Sequence, residues 1–227
     1  MNFQILTLFP ERYHNYLETG LPSRALKKGL FSVHTAQLRD YADPRRNGRL
    51  DDTPYGGGPG MILEIGPIAA AMEALPEKYP VVFFTPRGRR LKQKHVRDFS
   101  RMPGLTLLAG FYEGVDERVA ENLVDYQVSL GDFVLGSGDL PALCFMEAVT
   151  RLLPDYMGSA ASLEIESNEE GLLEYPQYTR PAEYRGWKVP DVLLSGNHGA
   201  IAAWRRERSL EITRARQEEE KDNDGNG

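Results

Sequence analysis

Three glycine-rich segments of this chain expose main-chain groups to which a ligand could bind. The longest, Ser129–Ala142, reads S-L-G-D-F-V-L-G-S-G-D-L-P-A, so that three glycines interrupt an apolar run. The other two are Tyr55–Gly60 (Y-G-G-G-P-G) and Gly110–Gly114 (G-F-Y-E-G). Because glycine allows sharp turns and lets a ligand approach the backbone closely, these segments predict a site that binds through peptide groups.

A predicted strand, Tyr126–Leu130, leads into the longest of these segments, and a predicted helix follows it. Asp139 is suited to cap that helix, and Pro141 is suited to its first turn. Ligands of open α/β sheets bind beyond the carboxyl ends of the strands. The pattern therefore predicts a pocket at the end of this strand.

Strands alternate with helices through the first two thirds of the chain. The predicted strands are Phe3–Leu8, Phe31–Leu38, Val81–Thr85, Leu105–Ala109 and Tyr126–Leu130, and the predicted helices are Glu11–Leu17, Arg24–Lys28, Ile65–Leu75, Leu91–Phe99, Val115–Leu123 and Pro141–Leu153. This order predicts an α/β fold, with a mostly parallel sheet and helices on both faces. Right-handed crossovers would bring the loops at Pro86, Gly110 and Gly131 to one edge of that sheet.

The composition of the chain changes after this domain. We expect an α/β domain at 1–154, an acidic interdomain linker at 155–173, a small helical domain at 174–217 and a disordered tail at 218–227. The linker and the tail are polar and have no apolar period, whereas a helix is predicted from about Gly199 to Arg216. Trp187 and Trp204 are expected in the core of the second domain.

The chain has 227 residues, a net charge of −6 and one cysteine. Cys144 excludes a disulfide framework and indicates a reducing compartment, and its apolar helical surroundings predict a packed thiol. The first apolar run is too short to span a membrane. We therefore expect a cytoplasmic protein that does not bind membranes.

Several common site motifs are absent from the sequence. It contains no G-x-G-x-x-G, no G-x-x-x-x-G-K-[ST] and no G-x-S-x-G, and its four histidines have no metal-ligand spacing. The glycine loops also lack a lysine to pair with phosphate. An adenosine-type cofactor held by backbone contacts fits this pattern better than one anchored through its phosphates.

Despite the negative net charge, the arginines cluster, and two of the three clusters adjoin glycine loops. Arg180 and Arg185 stand beside aromatic residues, and guanidinium groups pair well with phosphate. These two arginines are the best candidates in the sequence for contacts with RNA.

Five motifs occur in a fixed order along the chain. They are L-D-D-T-P-Y-G-G-G-P-G-M (Leu50–Met61), G-F-Y-E-G-V-D-E-R-V (Gly110–Val119), the Ser129–Ala142 segment, Y-P-Q-Y-T-R-P (Tyr175–Pro181) and V-P-D-V-L-L-S-G-N-H (Val189–His198). From the first strand to about Arg216 the chain resembles the bacterial tRNA (guanine37-N1)-methyltransferases of the SPOUT class. The resemblance implies a trefoil-knotted SPOUT domain with a small α-helical C-terminal domain, and a homodimer with shared active sites.

The resemblance also implies S-adenosylmethionine as cofactor and the anticodon stem-loop of tRNA as partner. The matching cofactor positions are Phe84, Thr85, Pro86, Gly110, Glu113, Ser129, Leu130, Gly131, Phe133, Leu135 and Gly138, with the Gly138 amide reading the adenine. The tRNA-binding positions are Asp51, Tyr55, Arg180, Arg185 and His198. A dependence on Mg²⁺ is implied as well, although no dedicated carboxylate cage is visible and no metal ligands are assigned.

Methylation of guanine N1 requires a base for its proton and a positive group for the charge that develops on O6. The resemblance places the positive group at Arg151 and the base at Glu166, where the family has Asp. Judged without the resemblance, Arg151 would pair with Glu147 one turn back, and Glu166 would belong to a solvated linker. Ser137 replaces a usual glycine, which requires a negative φ there.

Two other functions stay open from the sequence. One is a related SPOUT methyltransferase that modifies a different nucleotide of RNA. The other is a homologue that binds RNA without catalysis, an alternative raised by the replacement of the family's Asp at Glu166.

Overall fold

The computed structural model describes residues 1–157 and 171–224 of the chain. The chain divides into two compact units, Met1–Gly158 and Ser159–Gly227. The division falls within the predicted linker at 155–173. Each unit is described separately below.

The first unit is built on a five-stranded sheet in which every neighbouring pair of strands is parallel. The strands of the unit are β1 (Asn2–Thr7), β2 (Ser32–Gln37), β3 (Asp51–Asp52), β4 (Ile62–Leu63), β5 (Val81–Arg90), β6 (Gly104–Leu108) and β7 (Tyr126–Ser129). The strand order of the sheet is β2-β1-β6-β5-β7. Strands β3 and β4 pair with each other, antiparallel, outside this sheet.

Helices cover both faces of the sheet, as the alternation of elements predicts. They are α1 (Pro10–Leu17), α2 (Gly20–Lys27), α3 (Ile65–Ala74), α4 (Gln93–Ser100), α5 (Glu117–Asn122) and α6 (Asp139–Thr150). Successive strand residues point to opposite faces, so Phe84 packs in the cluster with α1, α2, α4 and α6, whereas Phe83 packs with α3 and α5. The predicted parallel α/β sheet is confirmed.

Strand β5 is longer than predicted and is interrupted. Its pairing with β7 shifts register between Phe84 and Arg89, both of which lie opposite Val128. The chain bulges between these positions, and Gly88 lies so close to β7 that an added Cβ would be 2.6 Å from the carbonyl carbon of Gln127. The bulge carries Thr85 and Pro86 to the end of the sheet.

The segment Arg39–Gly60, between β2 and β4, contains local structure. Two short 3-10 turns, Leu38–Tyr41 and Pro44–Arg46, precede β3. Arg46 donates to Asp52 across 2.7 Å and also pairs with Glu64. These ion pairs connect the second turn to β3 and to the residue that follows β4.

The second unit contains a hairpin of β8 (Glu183–Tyr184) and β9 (Trp187–Lys188), a short helix at Asp191–Leu194 and a long helix at His198–Asp224. The side chain of Asn197 accepts from the amide of Ala200 at 3.1 Å and so caps the long helix.

The long helix continues past Arg216, so the prediction of a disordered tail at 218–227 is wrong for residues 218–224. The prediction assumed that a segment without apolar periodicity is disordered. Residues 217–221 are Gln, three Glu and Lys, which are good helix formers, and Arg214 stands four residues before Glu218. A helix can therefore extend here without a core to pack against.

Two predictions of burial are also wrong. Cys144 is exposed on α6, as is Leu140 one turn earlier on the same helix. Trp187 is 72% exposed, whereas Trp204 is partly buried near the ring of Tyr178. An apolar sequence indicates which residues avoid water, but it does not say which element covers them.

Asp139 does not cap α6 as predicted: the helix begins at Asp139, Gly138 occupies the N-cap position, and the Asp139 carboxylate bonds elsewhere. It is 1% exposed and accepts hydrogen bonds from the hydroxyls of Thr7 at 2.5 Å and Tyr13 at 3.1 Å. Arg12 donates to its second oxygen at 2.8 Å. Burial, and next the charge of Asp139, raise the pKa of Tyr13 above its usual value. The carboxylate thus joins β1, α1 and α6.

We predict that Asp139→Ala lowers the free energy of unfolding by about 2–5 kcal/mol, because two buried hydroxyls lose their acceptor. Asp139→Asn keeps one acceptor oxygen and should lose less. Arg12→Gln should also lower it, because the Asp139 carboxylate, whose side chain is 2% exposed, loses its cation. Urea unfolding followed by circular dichroism measures the series, and a wild-type midpoint for Asp139→Ala would contradict it.

Candidate active site

A cleft opens at the carboxyl ends of β5, β6 and β7. Its walls are Phe83–Pro86 at the bulge of β5, residues 110–115 after β6 and most of residues 128–138 after β7. The predicted convergence of the loops at Pro86, Gly110 and Gly131 is therefore confirmed. Parallel strands produce this arrangement, because their carboxyl ends lie at the same edge of the sheet.

All eleven residues predicted from the resemblance to contact the cofactor line this one cleft. They are Phe84, Thr85, Pro86, Gly110, Glu113, Ser129, Leu130, Gly131, Phe133, Leu135 and Gly138. The prediction missed other lining residues, notably Tyr112, Val134 and Ser137. These residues lie inside the glycine-rich segments, and this position could have identified them from the sequence. The role of each residue toward a cofactor stays a prediction.

The base of the cleft depends on a close approach between two backbones. The amide of Gly138 donates to the carbonyl of Gly110 at 2.8 Å. A Cβ at Gly138 would lie 2.7 Å from the nitrogen of Gly110 and 2.9 Å from Cα of Ala109. Since φ at Gly138 is an ordinary −76°, the need for glycine is steric. The Gly138 amide, which the resemblance assigns to reading the adenine, is therefore already bonded within the protein.

The loop after β7 is closed at its start and apolar at its tip. Ser129 Oγ donates to the carbonyl of Gly131 at 2.9 Å and accepts from the Gly131 amide at 3.2 Å. Phe133 and Val134, further along the loop, are 55% and 81% exposed. Ser137 is not among the residues with positive φ, as its replacement of glycine requires, and its hydroxyl accepts from Arg12 at 2.9 Å.

The glycine loop Tyr55–Gly60 packs against Glu113, which lies at the rim of the cleft. The amide of Glu113 donates to the carbonyl of Met61 at 3.0 Å. Gly60 has φ of +78°, and a Cβ there would lie 2.8 Å from Glu113 Oε1. A glycine at position 60 therefore leaves room for the Glu113 side chain.

The predicted tRNA-binding residues of the first unit lie near this loop. Tyr55 is fully exposed, and Asp51 is partly buried on β3. Tyr112 has a left-handed φ of +59°. Burial, followed by its hydrogen bond to Asp51, raises the pKa of Tyr112. Asp51 thus contacts a residue that lines the cleft.

Of the predicted catalytic pair, only Arg151 belongs to the part of the chain that the structure describes. Arg151 ends α6, is partly buried and does not line the cleft of its own chain. Glu147, its expected ion-pair partner, accepts from the hydroxyl of Tyr16 at 2.8 Å. Glu166 lies outside the described residues.

The predicted tRNA-binding residues of the second unit are all exposed: Arg180, Arg185 and His198. Arg180 lines a second cavity, within this unit, that also includes Tyr175 and Arg205. The guanidinium of Arg205 lies 4.7 Å from the centre of the Tyr175 ring. Exposed cations beside aromatic rings suit a ligand that has both phosphates and bases.

Within residues 1–157 and 171–224, no group of three or more His, Cys, Asp or Glu side chains is placed to hold a metal ion. The implied Mg²⁺ dependence therefore stays a prediction. In the same part of the chain, no helix combines the length and the apolar character needed to cross a membrane.

Comparison with known proteins shows the family. The model of the tRNA (Guanine-1)-methyltransferase TrmD family matches residues 1–221. Two proteins named tRNA (guanine-N(1)-)-methyltransferase are similar over 95% of this chain: one from Thermosynechococcus vestitus (50% identity, 92% of that protein) and one from Gloeobacter violaceus (51%, 96%).

The crystal structure of the tRNA (m1G37) methyltransferase from Aquifex aeolicus is similar with a TM-score of 0.79 and 40% identity. The alignment covers 96% of this chain and 93% of the other. This likeness confirms the expected α/β fold of the SPOUT class. Since the family model spans nearly the whole chain, the protein belongs to the tRNA (guanine-1)-methyltransferase TrmD family.

Proposed function

We propose that this protein is a cytoplasmic enzyme that transfers the methyl group of S-adenosylmethionine to N1 of guanine 37 in tRNA. One observation carries the proposal: the eleven positions matched to the family's cofactor contacts all line a single cleft. The names of relatives that are about half identical over 95% of the chain support methylation of tRNA at N1 of guanine, and the name of the similar crystal structure supports position 37. We also propose the trefoil knot and the homodimer that the family resemblance implies.

The residues of the cleft fit the proposed cofactor. Its walls include exposed apolar side chains such as Phe133 and Leu135, which suit an adenosine. Glycines leave main-chain groups accessible, and Glu113 supplies a carboxylate near which a sulfonium or ammonium group is favourable. When bound, the cofactor supplies an electrophilic methyl group on sulfur.

The protein's own task is to move one proton and stabilise one charge. We assign Glu166 as the base that accepts the N1 proton of guanine as the N1–methyl bond forms and the sulfur–methyl bond breaks. We assign Arg151 to the charge that develops on O6. A positive side chain favours the negative oxygen in the transition state more than in the ground state, so it accelerates the transfer.

The position of Arg151 supports shared active sites. It lies outside the cleft of its own chain, at the end of the helix that exposes Leu140 and Cys144. An exposed apolar helix face is typical of a surface that another chain covers. In a homodimer formed through this face, Arg151 of one chain can serve the cleft of the other.

The reaction is tested with labelled S-adenosylmethionine and tRNA transcripts that differ only at the nucleotide 3′ of the anticodon. We expect methylation that requires guanine at this position. Methylation that is independent of it would support a related enzyme with another target. Binding of tRNA with no methylation would support a homologue without catalysis.

For the proton acceptor, we predict that Glu166→Gln lowers kcat by about 10²–10⁴-fold, because the amide cannot accept the N1 proton. Glu166→Asp keeps a carboxylate and should retain most activity. Glu170→Gln is the matched control, a neighbouring acid of the same linker that should change little. Near-full activity of Glu166→Gln in single-turnover assays would remove this residue from the mechanism.

For the charge on O6, we predict that Arg151→Ala lowers kcat by about 10²–10³-fold with little change in the Kd of the cofactor. Single-turnover rates and calorimetry separate the two effects. A parallel loss of cofactor binding would show instead that Arg151 supports the cleft itself.

For the cleft, we predict that Gly138→Ala raises the Kd of S-adenosylmethionine about tenfold or more, which is about 1.4 kcal/mol. Its Cβ would meet backbone atoms that can separate only if the loop moves. Gly66→Ala is the control, because a Cβ there meets open space on α3. Calorimetry measures both variants, and unchanged affinity in Gly138→Ala would refute the close-approach argument.

A further inference from the structure

The hairpin of the second unit holds two aromatic rings on one of its faces. Tyr184 pairs with Trp187 across the two strands, and Arg185 and Gly186 form the turn between them. Both turn residues have positive φ, 53° and 85°, as in a type I′ turn. Cross-strand partners point to the same side, so the ring centres lie 6.2 Å apart, with 49° between the planes.

These rings are far more exposed than packing would require. Trp187 is 72% exposed and Tyr184 is 54% exposed. A cross-strand aromatic pair stabilises a hairpin to some extent. Trp187, however, gains little from burial, because most of its surface faces water. The exposed ring area is therefore better explained by a ligand than by the stability of the hairpin.

The charges around the rings indicate the chemistry of that ligand. The segment that carries the pair, Arg180–Lys188, contains three cations, Arg180, Arg185 and Lys188, and a single acid, Glu183. The guanidinium of Arg185 lies 5.2 Å from the centre of the Tyr184 ring. The distance from Lys188 Nζ to Glu183 Oε2 is 3.8 Å, which is near the upper limit for an ion pair, and the Lys188 side chain remains 73% exposed. Flat rings flanked by cations match a ligand with planar bases and phosphates.

We propose that Tyr184 and Trp187 form a stacking platform for an unpaired nucleobase of the tRNA substrate, with Arg185 and Lys188 beside its phosphates. The identification of the RNA as tRNA rests on the proposed function. Aromatic rings offer faces without hydrogen-bond readout, so the platform accepts any base in this position. It contributes to binding of the substrate and takes no part in the transfer of the methyl group.

Fluorescence can follow the platform directly, since the chain has two tryptophans. Trp204→Phe leaves Trp187 as the reporter, and Trp187→Phe leaves Trp204, which is partly buried, as the matched control. Adding an anticodon stem-loop of tRNA should quench Trp187 and protect it from acrylamide, with little effect on Trp204. Equal quenching by a fully paired RNA duplex would overturn stacking on an unpaired base.

Direct binding gives the second test. Trp187→Ala should raise the Kd of tRNA about five- to twentyfold, whereas Trp187→Phe should restore most of the affinity. The kcat at saturating tRNA should stay unchanged, and only KM should rise. Leu21→Ala removes an exposed apolar side chain of the first unit and should leave the Kd unchanged.

The outcomes separate this inference from the proposed function. Wild-type affinity and an unquenched Trp187 would overturn the platform even if methyl transfer at guanine 37 is complete. Loss of self-association in Trp187→Ala with unchanged tRNA binding would overturn it too, by assigning the rings to a second copy of the chain. Quenching of Trp187 by tRNA without methyl transfer would support the platform and refute the proposed reaction.

Discussion

A close backbone contact of one residue and the buried hydrogen bonds of the next determine the shape of the candidate active site. Gly138 lies against the backbone of Ala109 and Gly110, closer than any side chain allows. The next residue, Asp139, is buried and bonded to Thr7, Tyr13 and Arg12. Together they hold the end of the loop after β7 across the end of β6. Without them, the wall of the cleft that this loop forms would have no defined position.

The same arrangement separates a rigid base from an accessible rim. At the base, buried polar groups are satisfied, because an unpaired group there would cost more than the hydrogen bond contributes. At the rim, Phe133 and Val134 stay exposed, and no regular element restrains them. A cleft of this kind can keep its main-chain groups in place while its apolar tip adapts to a ligand.

The two units show different relations between exposure and function. In the first unit, exposed apolar residues such as Leu140 and Cys144 lie on a helix whose other face is core, which suits contact with another copy of the chain. In the second unit, the exposed rings of Tyr184 and Trp187 lie among cations, which suits RNA. Neighbouring charge, rather than exposure alone, distinguishes the two kinds of surface.

The sequence by itself determined the parallel α/β sheet, the helices on its two faces and the convergence of the loops at Pro86, Gly110 and Gly131, because strand and helix periods and chain order decide these features. The tertiary structure decided which residues are covered: Asp139 became a buried acceptor instead of a cap, and Trp187 an exposed ring instead of core. Periodicity shows which side chains share a face, but burial depends on elements distant in sequence. The chain has to fold before Gly138 meets Gly110.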